Sequence, residues 1–548
     1  MTYDEVLDDV GGFGKFQRRI IALLCIPTLA QGALVYMQVF IAGRSDHWCD
    51  VSHWRNEDCR QWNLTGSGCM SLKRNLSTPW IEGSRSKCTK YNVTGQNLET
   101  AFENYHYFSE SNIIKCDDGW KFDKSVFADT ILEEWELVCD KAAVSDIFQS
   151  VFFAGYLIGS IVFGVLADKI GRYYTFMIAN VLSGVCGVLT AVSPHVVMFV
   201  ILRFLTAAAS YGTSLMCFVI ASELVEPSHR VWTSVIIWIG FGASSMCLAG
   251  LASLISNWRL LIAICTLPYL AMIISYPFLT ESPRWLIARE RYDEAAKIVR
   301  RMAETNGTKV PEDIKAKFVD ENELAKEKAT ASAWDLVRVP TIRWYMVSLL
   351  YNWFVHGLVF YGISLGTSAL GVNVYIAFCL TGSVEIPSIA GSIVLMRNFG
   401  RRRTMIFLLL TAGMACFATI PAPPGPWKAA IAIFGKFAIS MSFLSIYVFS
   451  GEVLPTPLRS FGVGSCSVAA RVGGIVAPLL LFFGTHIASL PMIMFASSSV
   501  IGALLILILP ETSGKALPDT SEDSVNLRKK LYRHLPEDDE RKDAEVKV

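Results

Sequence analysis

The sequence predicts an all-α membrane protein with twelve transmembrane helices in two six-helix repeats and a large extracellular loop between helices 1 and 2. Composition is the first indication, because hydrophobic residues make up 52% of the 548 residues and charged residues only 18%, as in membrane proteins. The second is twelve apolar stretches of about twenty residues, the length that crosses a bilayer. These stretches, numbered span 1 to span 12 in chain order, cover residues 20–42, 148–166, 175–192, 197–220, 233–254, 260–279, 345–364, 374–396, 405–420, 429–449, 462–483 and 491–509.

Basic residues cluster at alternate ends of the spans, and this asymmetry predicts their orientation. Lysine and arginine next to a span favour the cytoplasmic side. The cluster consists of Lys15, Arg18, Arg19, Lys169, Arg172, Arg230, Arg397, Arg401, Arg402, Arg403 and Arg459. The alternate short loops hold little beyond Arg259 and Lys428. We therefore expect both termini to be cytoplasmic, and the acidic start MTYDEVLDD lacks the basic segment of a cleaved signal peptide.

The loop of residues 43–147 has the features of an extracellular segment. It carries six of the fourteen cysteines, namely Cys49, Cys59, Cys69, Cys88, Cys116 and Cys139. An even set in an oxidising compartment predicts disulfides, with about fifteen pairings open. Zinc is the alternative, but no two of these cysteines have CxxC spacing, and we expect no metal. Glycans are expected at Asn63, Asn75 and Asn92, whereas the sequon at Asn306 falls on the cytoplasmic side.

The third indication is an internal repeat. GVLADKIGR follows span 2 and LMRNFGRRR follows span 8, SELVEPSHR follows span 4 and GEVLPTPLR follows span 10, and span 6 closes on LTESPRW where span 12 closes on LPETSGK. Matched residues are 229 apart (172 and 401, 223 and 452) or 230 apart (281 and 511), which predicts two halves of one plan.

The repeat also predicts the domain boundaries. They are a cytoplasmic segment 1–19, a first half 20–280 that includes loop 43–147, a charged cytoplasmic linker 281–342, a second half 343–510 and a cytoplasmic tail 511–548. In the linker, YDEAAKIVRRMAETNG predicts a helix that ends at Gly307. The tail from Lys515 onward is charged, and we expect it to be disordered.

GVLADKIGR resembles the loop signature of the major facilitator superfamily. VGGFGKFQRR, the cysteine-rich first loop with EEWELVCD, ESPRWL, VEIPS and GEVLPTPLR together resemble the organic ion transporters of that superfamily, which include organic cation, carnitine and organic anion carriers. The resemblance implies secondary transport of a small organic ion across the plasma membrane, with sodium, a proton or an exchanged anion as a possible coupling ion. It implies lipid as the surroundings and no enzyme activity, cofactor or nucleic acid; GxxxxGK[ST], the phosphate loop of ATP-driven pumps, is absent from the sequence.

The repeated motifs supply candidate gating residues. Asp168 is placed at a helix end, where it can pair with Arg172 or cap a neighbouring helix. Arg397 occupies the matching place in the second half, so we expect a cytoplasmic latch built mainly from the first half. The gating candidates are Asp168, Arg172, Glu223, Arg230, Glu452 and Arg459.

Ionisable residues inside the spans are candidates for substrate binding, because a charge at mid-bilayer costs about 3 kcal/mol or more unless it is compensated. Glu385 in span 8 and Arg471 in span 11 are central, whereas Lys436 in span 10 and Arg203 in span 4 are nearer the outer face. We expect Arg471 to face a polar cavity, neutralised by Glu385 or by a bound anion, or to hold a zwitterion together with Glu385. A structural salt bridge is the alternative, and His356 in span 7 is expected to be structural.

Aromatic residues complete the predicted site. Trp353 and Phe360 are two helical turns apart on span 7 and share a face, and Tyr361 follows them. The further candidates are Tyr36, Tyr156, Trp238 and Tyr447. Tyr156 precedes Glu385 by 229 residues, the repeat spacing.

Arg471 bears on the branch of the family. The RVGG of span 11 is similar to the anion and carnitine branches, yet span 8 offers Glu385 and no basic residue before Arg397. This mixture favours a carnitine-like zwitterion or an organic cation as substrate. The alternatives are an organic anion exchanger and, in another class, a non-transporting receptor on the same fold.

Overall fold

The structure, a computed structural model, describes residues 3–51, 54, 59, 64, 67–81, 83–92, 97–103, 113–309, 314–319, 322, 335–515, 517–518 and 520–529. All twelve predicted spans are helical. Their bounds are Lys15–Tyr36 with Gln38–Ile41, Ala142–Ile170, Arg172–Ala191, Val196–Glu223, Arg230–Leu254, Trp258–Ala271 extended by a 3-10 turn Met272–Phe278, Pro340–Leu365, Val374–Ser383 with Glu385–Phe399, Arg401–Ala418, Pro426–Val453, Thr456–Phe483 and Leu490–Ile506.

Ten helices in the described part of the chain are long and apolar enough to cross a membrane. Spans 9 and 12 are not among these ten helices, because one is more charged and the other is shorter. The helix of span 9 begins with three arginines ahead of the apolar stretch, and the helix of span 12 has only 17 residues. Span 8 is interrupted at Val384, where Pro387 has no N–H to bond the Ser383 carbonyl.

Two faces of the helix bundle can be distinguished by what covers them. The loop-domain face carries the described residues of the loop 43–147, which contact the connection between spans 5 and 6 through an Asn257–Asp129 bond and the start of span 8 through a Tyr375–Val126 bond. The linker face carries the N-terminal helix Tyr3–Asp9 and the helices Pro283–Ala288, Tyr292–Asn306 and Asp335–Arg338. The described ends of the chain therefore lie on one face, opposite the loop domain.

The loop domain contains short strands, which the all-α prediction did not include. Three antiparallel pairs form, His47–Cys49 with Trp120–Phe122, Trp80–Ile81 with Ser84–Arg85, and Thr89–Tyr91 with Ile113–Lys115. Its helices are Ser67–Ser77, Leu98–Glu103 and Ile131–Glu134.

The six cysteines of the loop domain form three disulfides, as predicted. The pairing, which the sequence left open, is Cys49–Cys116, Cys59–Cys69 and Cys88–Cys139. His47 Nε2 lies 3.9 Å from Cys139 Sγ, but both sulfurs of that bridge are used, so the bonded form has no thiolate for zinc. Asn75 and Asn92 are exposed; Asn63 lies outside the described residues.

Asn306 fastens the N-terminal segment to the linker. Its side-chain amide donates to the carbonyls of Val10 and Gly11 and to Gln17 Oε1, and its Oδ1 accepts from the Phe16 N–H at 2.9 Å. The predicted linker helix ends at Asn306, with Gly307 in the left-handed conformation.

The tail departs from its predicted disorder over part of its length. Ser521–Lys529 forms a helix. The hydroxyl of Ser524 donates to the Val453 carbonyl at 2.8 Å, which holds this helix at the end of span 10.

Candidate functional site

A cavity of about 790 Å³ lies between the two halves. The residues that line it come mainly from the half of each span nearer the linker face, for example Ser234 to Phe241 of span 5 and Val463 to Arg471 of span 11. The aromatic lining residues are Tyr156, Tyr211, Phe218, Trp238, Phe241, Phe360, Tyr361, Phe443 and Tyr447. The walls are therefore largely apolar, as expected of a site for a small organic molecule.

Arg471 is the only charged side chain among the described residues that line the cavity. Its Nη2 donates to the hydroxyl of Tyr211 at 2.9 Å, and its guanidinium carbon lies 4.6 Å from the centre of the Tyr211 ring. The Nε of Arg471 has no hydrogen-bond partner in the described structure. Arg471 therefore brings to the cavity wall a positive charge that no acidic side chain of the described lining balances.

The glycines after Arg471 position its helix. A Cβ at Gly473 would lie 2.2 Å from the Phe354 carbonyl oxygen, and a Cβ at Gly474 would lie 3.0 Å from the Phe153 ring. Span 11 can therefore approach span 7 of its own half and span 2 of the other half only because these positions lack side chains.

Glu385 does not pair with Arg471, which was one of the predicted alternatives. Its Oε1 lies 3.0 Å from Lys436 Nζ, and neither residue lines the cavity. Lys436 also lies 3.0 Å from the centre of the Phe360 ring. Because Lys436 reaches Glu385 from span 10, the acid is neutralised within the protein and leaves Arg471 uncompensated.

Five of the seven predicted aromatic residues line the cavity, namely Tyr156, Trp238, Phe360, Tyr361 and Tyr447. Trp353 does share a face with Phe360, since both contact Phe443 with ring centres 6.1 and 5.4 Å apart. However, Trp353 is fully buried behind the lining and donates its indole N–H to Ser450.

Tyr36 lies in the closure toward the loop-domain face, where its ring meets the edge of Phe378 at 5.5 Å. In the same layer Phe40 stacks on Tyr375 with ring centres 5.4 Å apart. Ser150 of span 2 also bonds the Ile475 carbonyl of span 11 at 3.0 Å. These contacts join the two halves, so the cavity is sealed on the loop-domain side.

Two other interior groups are structural. His356 uses both ring nitrogens, one on the Asn352 carbonyl at 2.6 Å and one on the Ser442 hydroxyl at 2.8 Å. Arg203 is buried, donates to the Leu34 carbonyl at 3.1 Å and lies 4.6 Å from the Phe152 ring. Neither lines the cavity.

Tyr211 was missed by the sequence reasoning. It stands alone in the small-residue run AAASYGTS of span 4. A bulky polar ring among residues that permit close helix packing is the signal that points to it.

The gating candidates form two matching clusters on the linker face. In the first half Arg172 pairs with Glu223, its Nη1 lies 3.2 Å from Asp168 Oδ1, and its backbone N–H donates to Glu281. Burial raises the pKa of the Glu281 carboxyl, against the lowering effect of the backbone N–H groups that bond it.

The second half builds the same cluster without the aspartate. Arg401 pairs with Glu452 at 2.9 Å, and its backbone N–H donates to Glu511 at 2.8 Å. The charged residues on the linker face therefore come from both halves, and a latch built mainly from the first half stays a prediction. Within the described part of the chain, both clusters tie spans of one half together and do not join the halves.

The last two gating candidates make other contacts. Arg230 pairs with Asp4 of the N-terminal helix at 2.5 Å and bonds the Ser222 carbonyl. Arg459 donates to Thr456 Oγ1 at 3.2 Å. Arg230 thus links the N-terminal helix to the end of span 4.

This fold and its single-charge cavity define a secondary transporter of the major facilitator type. Residues 94–523 match the family described as sugar (and other) transporter. The chain is 35% identical to the organic cation transporter protein of Drosophila melanogaster, over 97% of this chain and 96% of that protein. It is 33% identical to human solute carrier family 22 member 13, over 95% and 92%, and 32% identical to member 6-B of Xenopus laevis, over 95% and 94%.

The chain therefore belongs to the organic ion transporter family of the major facilitator superfamily, and its class is that of transporters and not of enzymes. The inward-open structure of the xylose transporter XylE from E. coli has the same fold, with a TM-score of 0.59 and 17% identity over 91% of this chain and 98% of that one.

Proposed function

We propose that this transporter carries small organic anions with an apolar or aromatic body, whose carboxylate binds Arg471. The observation that carries the proposal is that Arg471 is the only charged residue among the described residues lining the cavity. The prediction from sequence favoured a zwitterion, with its ammonium held by Glu385. That preference weakens because Lys436 already neutralises Glu385.

The residues that line the cavity suit a substrate with one anionic group and a flat body. A carboxylate accepts two parallel N–H bonds from a guanidinium, and Arg471 is the residue of the cavity lining that carries a guanidinium. Tyr211 holds the guanidinium in place by accepting a hydrogen bond from Nη2. The surrounding rings would cover the rest of the substrate.

An organic cation is the second candidate, favoured by the name of the Drosophila relative and by the aromatic walls. Aromatic faces attract cations by about 0.5–2 kcal/mol each. Arg471 opposes this, because like charges in a desolvated cavity cost several kcal/mol.

Transport would proceed by rocking the two halves around the cavity. The sealed side is the loop-domain face, so the opposite state requires separation of the Phe40–Tyr375 stack and of the span 2–span 11 contact. We propose that the linker face is cytoplasmic and that the loop domain faces outward from the plasma membrane, as the basic residues, cystines and sequons indicate.

Uptake by cells that express the chain tests the proposal. Labelled p-aminohippurate, carnitine and tetraethylammonium supply an anion, a zwitterion and a cation. We expect p-aminohippurate to be taken up best, and Arg471→Gln to reduce its uptake about thirty-fold or more at low concentration, since a buried charge-assisted contact is worth about 2–5 kcal/mol.

Preferred uptake of carnitine or tetraethylammonium by the wild-type chain would overturn the anion assignment. Binding of the probes without uptake would favour the receptor alternative. Surface biotinylation normalises each variant to the amount of protein at the membrane.

A further inference from the structure

Spans 8 and 10 line the cavity, and on each of them the helix face that lines it continues beyond the cavity toward the loop-domain side. On span 8, Met396, Ser392 and Ile389 line the cavity, and Glu385 lies one turn beyond Ile389. On span 10, Tyr447 and Phe443 line it. Because positions four and seven residues apart share one helix face, Glu385 lies on the lining face of span 8.

Lys436 and Ser440 continue the lining face of span 10 in the same way, seven and three residues before Phe443. Both are buried, at 0% and 4% exposure. The hydroxyl oxygen of Ser440 has no hydrogen-bond partner within the described structure. A cation and an unused hydroxyl therefore lie side by side on the extension of the cavity wall.

Phe360 lies next to both Lys436 and the cavity. It is one of the lining residues, and Lys436 Nζ lies 3.0 Å from the centre of its ring and 3.4 Å from its carbonyl oxygen. The charge of Lys436 is balanced by Glu385 at 3.0 Å. Gly242 of span 5 covers Glu385 from the other half, since a Cβ there would lie 3.3 Å from the Glu385 Cβ.

We propose that Lys436 and Ser440 form a second carboxylate-binding subsite, and that Glu385 masks it. The inference rests on the proposed function, in which Arg471 binds the first carboxylate. With Glu385 present, one cationic charge is available to substrate and the site selects monoanions. Without it, Lys436 becomes a second anchor and dicarboxylates are admitted.

The experiment compares uptake of labelled glutarate, a dicarboxylate, with uptake of p-aminohippurate in the same cells. Glu385→Gln keeps the size of the side chain and removes its charge. We expect the glutarate to p-aminohippurate ratio to rise about thirty-fold or more, the effect of one added buried charge-assisted contact. The ratio is independent of how much protein reaches the surface.

The double variant Glu385→Gln with Lys436→Gln is the matched control. It removes both the Glu385 carboxylate that masks the subsite and the Lys436 ammonium that would bind the second carboxylate. The glutarate to p-aminohippurate ratio should therefore return to the wild-type value. A gain that persists in the double variant would overturn the inference, because the new affinity would not come from Lys436.

Detergent-solubilised protein provides a second readout if a variant is retained inside the cell. Ligands that bind the native state raise its melting temperature. Glutarate should raise it more in Glu385→Gln than in wild type or the double variant. An unchanged ratio and an unchanged glutarate shift in Glu385→Gln would overturn the inference.

If the proposed function itself is wrong, a different experimental result is expected. In that case Arg471→Gln leaves p-aminohippurate uptake at the wild-type level. If Arg471→Gln abolishes that uptake while Glu385→Gln leaves the ratio unchanged, the proposed function stands and the masked subsite does not.

Discussion

The two six-helix halves are alike on the linker face and different inside the membrane. Arg172, Glu223 and Glu281 of the first half are matched by Arg401, Glu452 and Glu511 of the second, with the same contacts in each. Each arginine starts a helix whose N-terminal N–H groups bond a glutamate, which also suits the helix dipole. This arrangement belongs to the common plan of the halves.

The interior charges have no such counterpart. The residues 229 positions before Glu385 and Arg471 are Tyr156 and Gly242. The first half has its own interior cation in Arg203, but that side chain is sealed between spans and does not line the cavity. The Arg–Glu clusters that the two halves share connect spans within each half. Arg471, which has no counterpart in the first half, gives the cavity its charge.

The largest effect expected from the shared clusters is on stability. Glu223→Gln and Glu452→Gln each remove a carboxylate from an arginine that is mostly buried. Loss of a charge-assisted bond of this kind costs about 1–3 kcal/mol, so both variants should lower the melting temperature of the purified protein. If the clusters are equivalent, the two decreases are similar.

Substrate preference provides the control for these two variants, because neither glutamate lines the cavity. The ratio among the three probes should stay at its wild-type value in both. A lower melting temperature in one variant alone would show that the clusters are not equivalent despite their matching contacts.

The smallest effect is expected where the clusters differ. Asp168 is 76% exposed and bonds Arg172 at 3.2 Å, and the second half has Arg397 in its place. Asp168→Asn should slow uptake a few-fold at saturating substrate without changing the half-saturating concentration, since the residue is outside the cavity and acts only on the balance of access states. Unchanged turnover in Asp168→Asn would mean that this asymmetry has no role in gating.

The fold was largely predictable from sequence. The spans, the repeat, the linker helix ending at Gly307 and the use of six cysteines in disulfides all follow from local patterns. The strands of the loop domain were missed because each has only two or three residues, too few to show alternation. The helix Ser521–Lys529 was missed because its charged composition resembles that of a disordered tail and because its contact with Val453 joins residues 71 positions apart in the sequence.

Most residues of the site were predicted from the sequence, but the contacts between its charged residues were not. Arg471 and five aromatic residues line the cavity as expected, but the partner of Glu385 proved to be Lys436. A sequence shows which charges lie in the membrane and roughly how deep. It does not show how helices are rotated about their axes, and rotation decides that Lys436 meets Glu385 while Arg471 meets Tyr211.

The most direct test of the central claim, that Arg471 sets the charge sign of the substrate, is the p-aminohippurate to tetraethylammonium uptake ratio in Arg471→Asp. An acid in this cavity repels a carboxylate and attracts a cation. We expect anion uptake to fall about thirty-fold or more while cation uptake holds or rises. We expect Arg203→Gln, which changes a buried cation outside the cavity, to leave the ratio unchanged. An Arg471→Asp variant that is present at the surface with the wild-type ratio would contradict this role of Arg471.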